Sequence, residues 1–418
     1  MGEDCRISQR LGFAAVFVSA IAGFVLAITG FALAITGFAL AITGAQAQST
    51  EMSLGQRNLA CGSPAALDDG WTTASPESVG LDGTRLCAIA ARLKEMEANV
   101  HSVVIVRRGR LVFEQYFAGY DEVWDQGGGQ HTFDATTKHD MRSASKSVIS
   151  LLVGIAIDRR LIAGADEPVV KFYPEYADVK SPGWDQITLR HLLTMSSGMQ
   201  WDENRDWIDP KNDEPHLGSD ADPIRYVLSK PVAKPPDALW TYNGGSTDLL
   251  GNILERVSGK PLEAFAREVL FQPLGITDLE WKNYPQNKKV ASAVGLRLRP
   301  RDAAKIGQLV LNRGAWGGKQ IVAADWIEQS VKPRFQAIGY FSGLFFYGQQ
   351  WWLGRSIADG TEVKWIAAMG SGGQRIFIVP DRDLVVMTTS GLYFQPHQGD
   401  GALDMLTNFI LPSVRDKN

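Results

Sequence analysis

The chain has 418 residues, of which 21% are charged and 45% hydrophobic, and its 42 basic and 46 acidic side chains leave a net charge of −4. This is a globular composition, long enough for two or three domain-sized units or for one large core with an inserted subdomain. The slight acidity argues against a nucleic-acid-binding protein, and without a CxxC pair or an HExxH motif we expect no metal and no cofactor.

The N-terminal segment has the pattern of an export signal. Arg6 and Arg10 precede an uncharged apolar run that ends in the small-x-small sequence AQA at 45–47. The run contains a seven-residue tandem repeat, GFVLAIT followed by two copies of GFALAIT. As a helix it would be about 50 Å long, against roughly 30 Å of membrane hydrocarbon. Residues 1–47 are therefore either a cleaved signal peptide with an expanded apolar region or an uncleaved membrane anchor, and both place the body in the periplasm or outside the cell.

Residues 48–80 are polar and predict an irregular lead-in to the folded body. Cleavage after residue 47 would also remove Cys5 and leave Cys61 and Cys87 as an even pair in an oxidising compartment. A disulfide between these two cysteines and a pair of separate thiols both remain open.

The mature chain predicts strands near both ends and helices between them. A helix is expected at 81–98, followed by an antiparallel hairpin of strands 102–106 and 111–117 and by a Gly/Gln loop at 127–130. The later helices are expected at 144–160, 189–195, 246–257, 262–269, 300–312, 323–331 and 400–411, and the later strands at 348–353, 362–368, 374–379 and 384–389.

This order of elements predicts an α+β fold within a single domain at 81–418. Short hairpin connections imply antiparallel pairing. We therefore expect one antiparallel sheet built from both chain ends, flanked by helices, with a central and mostly helical region at about 144–335. The groove between the sheet edge and the helical region is the expected place for a functional site.

The strongest local signal is the sequence SASK at 143–146, at the start of the long helix. Ser143 and Lys146 are three residues apart and share one helix face. A serine hydroxyl is a weak nucleophile that needs a neighbouring base, and lysine becomes one only where burial and the positive end of the helix dipole disfavour its ammonium form. Since SxxK also arises by chance, the alternative is a capping serine beside a surface lysine.

Two later segments strengthen the catalytic interpretation. The loop WTYNGG at 240–245 carries Tyr242, whose phenol can take or give a proton, although a packed loop aromatic is the alternative. The segment AMGSGGQ at 368–374 lies between two predicted strands, where glycines mark the close approach of a backbone or a ligand. A strand follows its glycines, so this segment is not a dinucleotide-binding fingerprint.

These three motifs, in this order, resemble the serine β-lactamase and DD-peptidase superfamily. The resemblance is nearer to the class C-related esterases and the 6-aminohexanoate-dimer hydrolases. It extends over roughly residues 75–412 and includes the segments at 139–146, 187–198, 249–251 and 271–276. The resemblance implies the fold of that superfamily and a hydrolytic activity.

The resemblance also implies a role for individual residues. Ser143 would be the acylated nucleophile, Lys146 its base partner, and Tyr242 the acid/base that serves the leaving group. The backbone N–H groups of Ser143 and Ser371 would form the oxyanion hole, and the substrate-binding region would include two further residues, Gly370 and Asn243.

Two departures from the family pattern bear on the substrate. Asn243 follows Tyr242 directly, whereas class C β-lactamases have Tyr-x-Asn. The strand motif is AMG at 368–370, without the cation that β-lactamases use to hold the substrate carboxylate. Both departures favour an esterase or amidase over a β-lactamase.

We therefore predict an exported serine hydrolase that cleaves an ester or a linear amide through an acyl-enzyme on Ser143. The alternatives are a DD-peptidase or β-lactamase and, from another class, a catalytically silent penicillin-binding-type sensor or scaffold. The expected partner is a small-molecule ester or amide and not a nucleic acid. Contact with a membrane is expected only through an uncleaved N-terminal segment, and the sequence leaves the oligomeric state open.

Overall fold

The computed structural model of the protein describes residues 61–124, 126–337 and 345–415. The predicted signal or anchor segment, 1–47, and the first part of the lead-in, 48–60, lie outside these residues. Within the described ranges, no helix is both long enough and apolar enough to cross a membrane.

The described chain contains short and long strands at both ends of the sequence. The strands are β1 Val100–Arg107, β2 Arg110–Tyr116, β3 Ala118–Val123, β4 Gly127–Thr132, β5 His139–Asp140, β6 Leu279–Trp281, β7 Leu296–Leu298, β8 Ala315–Trp316, β9 Lys319–Gln320, β10 Phe335–Gln336, β11 Phe346–Tyr347, β12 Trp352–Ala358, β13 Thr361–Gly370, β14 Gln374–Val379 and β15 Leu384–Ser390.

Helices fill the middle of the chain and flank both ends. They are α1 Gly83–Cys87, α2 Ile89–Glu95, α3 Ser145–Asp158, α4 Leu189–Leu193, α5 Glu214–Ser219, α6 Pro223–Leu228, α7 Gly244–Ser258, α8 Leu262–Ala266, α9 Pro300–Leu311, α10 Ala324–Ser330 and α11 Asp400–Asp404. Two of them continue into π-helical segments, α8 into Arg267–Phe271 and α11 into Met405–Ile410.

Among the described residues, eight strands form one antiparallel sheet in the order β10-β11-β12-β13-β14-β15-β1-β2. The early hairpin β1–β2 pairs with the last strand, β15, through a register that joins Val104 to Met387. The expected α+β fold, with one antiparallel sheet built from both chain ends and flanked by helices, is confirmed. Smaller sheets, β3–β4 and β5–β7–β6, lie outside the main sheet.

The alternation of side chains along the central strands explains why helices cover both faces of the sheet. Every residue of β1 is buried. Val104 and Val106 belong to the core cluster that contains the helical region, whereas Val103 and Ile105 belong to the cluster that contains the terminal helices. Because successive side chains of a strand point to opposite faces, an apolar strand of this kind needs a helical layer on each side.

Three departures from the sequence expectation go beyond a small shift at the end of an element. The helix expected at 81–98 is divided into α1 and α2, and the Gly/Gln stretch at 127–130 begins strand β4, which pairs with β3. The strand expected at 348–353 begins only at Trp352. The preceding residues form a turn, in which a Cβ on Gly348 would lie 2.2 Å from the carbonyl oxygen of Ser330.

The lead-in is fastened to the first helix by a disulfide. Cys61 and Cys87 are bonded, with 5.7 Å between their Cα atoms and a sequence separation of 26. The structure therefore decides between the two states that the sequence left open.

The disulfide should contribute measurably to stability. A cross-link that closes a loop of this length removes conformational entropy from the unfolded chain, which corresponds to about 3 kcal/mol. We expect the double substitution Cys61→Ser, Cys87→Ser to lower the free energy of unfolding in urea by roughly that amount. A reducing agent should reproduce the loss in the wild-type chain and leave the double variant unchanged, and equal stability of all four samples would contradict the expectation.

Candidate active site

Ser143 lies on a tight turn directly before helix α3. The turn is a 3-10 segment, Arg142–Ala144, and its first residue has a left-handed backbone, with φ +48° at Arg142. A non-glycine residue in this conformation carries strain that the surrounding structure must support, and such strain gathers at functional sites. The turn presents the Ser143 side chain to a pocket instead of to the helix.

Gly370, the last residue of β13, packs against the turn that carries Ser143. A Cβ at this position would lie 2.1 Å from the carbonyl oxygen of Met141, so any other residue would push the strand and the turn apart. Gly370 and the next residue, Ser371, line the same pocket as Ser143. The sheet and the helical region therefore meet at this point, as the sequence led us to expect of a site.

Lys146 is buried in the first turn of α3, with 1% of its surface exposed. Its Nζ donates to Ser143 Oγ over 3.0 Å and lies 3.4 Å from the carbonyl oxygen of Ala293. The same ammonium lies 5.0 Å from the centroid of the Tyr242 ring. The alternative of a surface lysine is therefore wrong.

Tyr242, on the loop before α7, is the third side chain of the site after Ser143 and Lys146. Its side chain is 4% exposed and is hydrogen-bonded to Ser143. The ring packs against Trp352, with 5.6 Å between the ring centroids. The structure thus brings together the three residues for which the sequence predicted direct chemical roles.

Asn243 has a different place. It is 2% exposed, and its Oδ1 accepts a hydrogen bond from the backbone N–H of Ser246 over 2.8 Å, which makes it the N-cap of α7. It is not among the described residues that line the pocket. The sequence expectation that Asn243 belongs to the substrate-binding region is corrected accordingly, because its side-chain oxygen is taken up by the helix terminus.

The protonation of Lys146 and Tyr242 is governed by burial and by nearby acids. Burial alone lowers the pKa of Lys146, but its interactions with Tyr242, Glu203 and Glu214 outweigh burial and raise the pKa above its usual value. Burial raises the pKa of Tyr242 by more than the Lys146 charge lowers it. Both groups therefore hold their protons in the resting site, and one proton must leave the pair before it can serve as a base.

Two glutamates that the sequence analysis did not single out line the pocket beside this pair. Glu203 Oε2 accepts hydrogen bonds from the backbone N–H of Gly244 over 2.6 Å and from Trp201 Nε1 over 2.7 Å. Burial, together with the charge of Glu203, raises the pKa of Glu214 to about 7. The only sequence signal was the density of acids at 202–214, which is equally typical of a solvated loop.

A third acid, Asp248, stands on the first turns of α7. Burial raises its pKa to about 7, although it accepts hydrogen bonds from Ala293 N and Tyr284 Oη, each over 2.9 Å. The Ala293 residue thus connects Asp248 through its N–H and Lys146 through its carbonyl oxygen. The acid supports the lysine through the intervening backbone.

The pocket has a volume of about 270 Å³ and a wall of two chemical kinds. Charged residues of both signs lie on it, two glutamates and three arginines among them. The remainder of the wall is largely apolar and aromatic, with Trp124, Trp207, Val294, Trp352, Met369 and Phe394. Such a pocket suits a substrate with an apolar portion next to the reacting carbonyl.

Two arginines, Arg375 and Arg142, lie on the pocket wall. Arg375, on β14, donates to the carbonyl oxygens of Gly370 over 2.7 Å and of Gln374 over 2.8 Å. Burial lowers the pKa of Arg375 to about 10, which leaves the guanidinium charged at neutral pH. Arg142 lies over the Tyr393 ring, 4.6 Å from its centroid, and donates to the Glu122 carbonyl oxygen.

The architecture is that of the serine β-lactamase and DD-peptidase superfamily. The chain matches the structure of the octameric penicillin-binding protein homologue from Pyrococcus abyssi with a TM-score of 0.59 at 20% identity, over 78% of this chain and 77% of the other. The model of the Beta-lactamase family matches residues 89–408, and the chain belongs to that family.

Curated relatives of this chain include hydrolases of amides and esters. The chain is 25% identical over 327 residues to the 6-aminohexanoate-dimer hydrolase of Paenarthrobacter ureafaciens, and the aligned region covers 73% of this chain and 77% of the relative. It is 30% identical over 188 residues to the lovastatin esterase of Penicillium rubens, and the aligned region covers 39% of this chain and 44% of the relative.

The acids next to the pair predict a direction for the pH dependence. Glu214 raises the pKa of both Lys146 and Tyr242 by its charge. With its own pKa about 7, Glu214 is ionised in the alkaline range where the pair loses a proton. We expect Glu214→Gln to move the acidic limb of the kcat/KM profile for an ester substrate to lower pH, by about one unit or less.

A matched control is the exposed carboxylate of Glu268, which pairs with Lys260 away from the described pocket wall. Glu268→Gln should leave the pH profile in place. An alkaline shift of the Glu214→Gln profile, or equal shifts in both variants, would refute the proposed influence of Glu214 on the pair.

Proposed function

We propose that this member of the Beta-lactamase family is a serine hydrolase that cleaves an ester or a linear amide through an acyl-enzyme on Ser143. The observation that carries the proposal is the 3.0 Å contact between Lys146 Nζ and Ser143 Oγ in a buried site that Tyr242 completes. In the alternative, a capping serine beside a surface lysine, the lysine side chain would be exposed to solvent and would not contact the serine.

The proposed reaction starts when the pair has lost one proton. In this proposal the proton leaves Tyr242, because the charge of the neighbouring Lys146 ammonium lowers the pKa of the phenol and stabilises the phenolate. The phenolate accepts the Ser143 proton while Oγ attacks the carbonyl carbon of the substrate. The carbonyl oxygen becomes an oxyanion that accepts hydrogen bonds from the backbone N–H groups of Ser143 and Ser371.

Collapse of this intermediate breaks the bond to the leaving group and forms the acyl-enzyme. The leaving alcohol or amine takes the proton back from Tyr242, which regenerates the phenolate. Water then gives its proton to Tyr242 and attacks the acyl carbon. Ser143 leaves with that proton, and the carboxylic acid product is released.

The pocket wall supports an ester or a linear amide as the substrate class. Its aromatic portion, with Trp207 and Phe394, provides apolar contact, and Arg375 and Glu214 place ionisable groups of opposite sign on the same wall. The chain lacks the β13 cation that holds the carboxylate of a β-lactam in the β-lactamases it resembles. A DD-peptidase or β-lactamase activity, or a silent sensor, is therefore an outcome for the experiments to test.

We also propose that the protein acts outside the cytoplasm. The basic and apolar pattern at 1–47, which lies outside the described residues, supports export through a signal peptide or an uncleaved anchor. The disulfide between Cys61 and Cys87 agrees with an oxidising compartment.

The nucleophile can be tested with two covalent probes, a fluorophosphonate and a fluorescent penicillin. We expect the wild-type chain to take the first and largely ignore the second. Ser143→Ala should abolish the labelling and lower p-nitrophenyl ester hydrolysis by several orders of magnitude. It should leave the fold intact, because the loss of a serine at a helix start costs at most about 2 kcal/mol.

The neighbouring serine, Ser145, serves as the matched control. Its Oγ donates to the Arg142 carbonyl oxygen and accepts from Leu296 N, so it is a buried serine without a lysine contact. Ser145→Ala should still take the fluorophosphonate. Labelling that survives in Ser143→Ala and disappears in Ser145→Ala would move the nucleophile, and a panel of p-nitrophenyl esters, nitrocefin and an aminohexanoate dimer would assign the substrate class.

The proton carriers can be separated by substitution. Lys146→Arg should abolish turnover, since arginine stays protonated and is larger. Tyr242→Phe removes only the hydroxyl and should lower kcat/KM by several orders of magnitude if the phenolate is the base. Tyr347→Phe removes a buried hydroxyl nearby, 6.2 Å between ring centroids, and should have little effect. A loss below tenfold, or about 1.4 kcal/mol, in Tyr242→Phe would leave Lys146 as the sole base.

A further inference from the structure

Three buried side chains from three strands converge behind the wall of the active-site pocket. They are His101 on β1, Asp121 on β3 and His139 on β5, and each is at most 1% exposed. His101 Nδ1 lies 2.9 Å from His139 Nε2, and His139 Nε2 lies 3.5 Å from Asp121 Oδ1. The three ligand atoms are all within 4.8 Å of one another.

The surroundings of His101 determine which of its nitrogens carries the proton. Its Nε2 faces two acceptors, the carbonyl oxygen of Tyr120 at 3.1 Å and Oδ1 of Asn99 at 3.3 Å. The orientation of the Asn99 amide is set, because its Nδ2 donates to the same Tyr120 carbonyl over 2.8 Å. Nε2 of His101 must therefore be the donor, and Nδ1 of the neutral ring holds a lone pair.

The surroundings of His139 likewise determine which of its nitrogens carries the proton. His139 Nδ1 lies 3.1 Å from the backbone carbonyl oxygen of Asp140, which can only accept. The neutral ring then holds its lone pair on Nε2, the atom that faces His101. Two lone pairs thus point at each other across 2.9 Å, next to the carboxylate of Asp121, and they repel unless a cation lies among them.

We propose that His101, Asp121 and His139 bind a divalent transition-metal ion of the zinc type. Two ligand atoms at about 2.0–2.1 Å from zinc, at a tetrahedral angle, are about 3.3–3.4 Å apart, and the observed 2.9 and 3.5 Å lie on either side of this value. Two imidazoles with one carboxylate are a donor set that zinc accepts readily.

The groups around the ligands are those of a built metal site. Each histidine donates its other N–H to a backbone carbonyl, and Asp121 Oδ1 accepts a hydrogen bond from Tyr393 Oη over 2.8 Å. Partners of this kind fix the ring orientation and raise the basicity of the ligand atom. No metal was expected from the sequence, because these residues are far apart in the chain and match no metal-binding motif.

The surroundings favour a structural role for the metal. Phe133 stacks on the His101 ring with 4.1 Å between centroids, and a Cβ on Gly119 or Gly391 would come within 2.8 Å of that ring. No substrate fits in this space. The metal would join β1, β3 and β5, and through Asp121 it would hold Tyr393, which lines the pocket under Arg142.

The metal can be measured independently of the activity. The chain, expressed without a histidine tag, should retain about one zinc per molecule after gel filtration, as measured by inductively coupled plasma mass spectrometry. A strong chelator should remove it and lower the melting temperature, and added Zn²⁺ should restore that temperature. Co²⁺ in place of zinc should give visible d–d absorption bands.

Substitutions assign the metal to these three residues. His139→Asn and Asp121→Asn should lose most of the bound zinc, whereas His397→Asn, which changes an exposed loop histidine, should retain it. Ser143→Ala should also retain the zinc, so the metal site is tested independently of the proposed hydrolase activity.

A wild-type chain that retains no more zinc than His139→Asn, together with a melting temperature that the chelator leaves unchanged, would overturn the proposal. A shared proton or a simple histidine pair would then occupy the site. If the ligand variants fail to fold, the cobalt spectrum and the chelator response of the wild-type chain decide the question.

Discussion

A charged lysine buried at the start of a central helix is the constraint on which the candidate active site depends. An ammonium group taken out of water costs several kcal/mol unless opposite charge and hydrogen bonds compensate. Lys146 receives that compensation from Glu203 and Glu214 by charge and from the Ser143 hydroxyl and the Ala293 carbonyl by contact. Both acids come from the stretch 202–214, which is far from Lys146 in sequence, so the buried lysine depends on the position of that stretch beside the start of α3.

The same constraint shapes the chemistry. The acids that stabilise the ammonium also raise the pKa of Tyr242, so they oppose the loss of a proton from either member of the pair. Glu203 is fixed in place by the hydrogen bonds that it accepts from Gly244 and Trp201, whereas burial and the charge of Glu203 raise the pKa of Glu214 to about 7. The charge around the nucleophile is therefore set partly by fixed geometry and partly by pH.

The sheet contributes to the site through one close approach. Gly370 brings the end of β13 against the strained turn that carries Ser143, so the two backbone N–H groups proposed for the oxyanion belong to different layers of the fold. In the proposed metal site, Asp121 accepts a hydrogen bond from Tyr393, and the Tyr393 ring lies beneath Arg142, the residue before the nucleophile. The packing between the end of β13 and the turn that carries Ser143, more than any single residue, keeps the reacting groups in place.

The sequence by itself determined the features that depend on local spacing or on motif resemblance. The strand-forming residues of the late strands and of the β1–β2 hairpin predicted the sheet. The three-residue interval between Ser143 and Lys146 predicted their contact, although Ser143 makes it from the 3-10 turn before α3 and not from the helix itself. Tyr242 followed from the order of the motifs. The strand that begins at Gly127 was missed, because its glycines carry no alternating pattern.

Only the tertiary structure decided which distant residues share a site. Glu203, Glu214 and Asp248 gather around Lys146, and His101 meets His139, through packing between segments with no common motif. The cap role of Asn243 and the disulfide of Cys61 likewise depended on the final position of the backbone. Residue type and spacing encode what a side chain can do, but long-range packing decides which groups it faces, and those groups set its charge, its hydrogen bonds and its function.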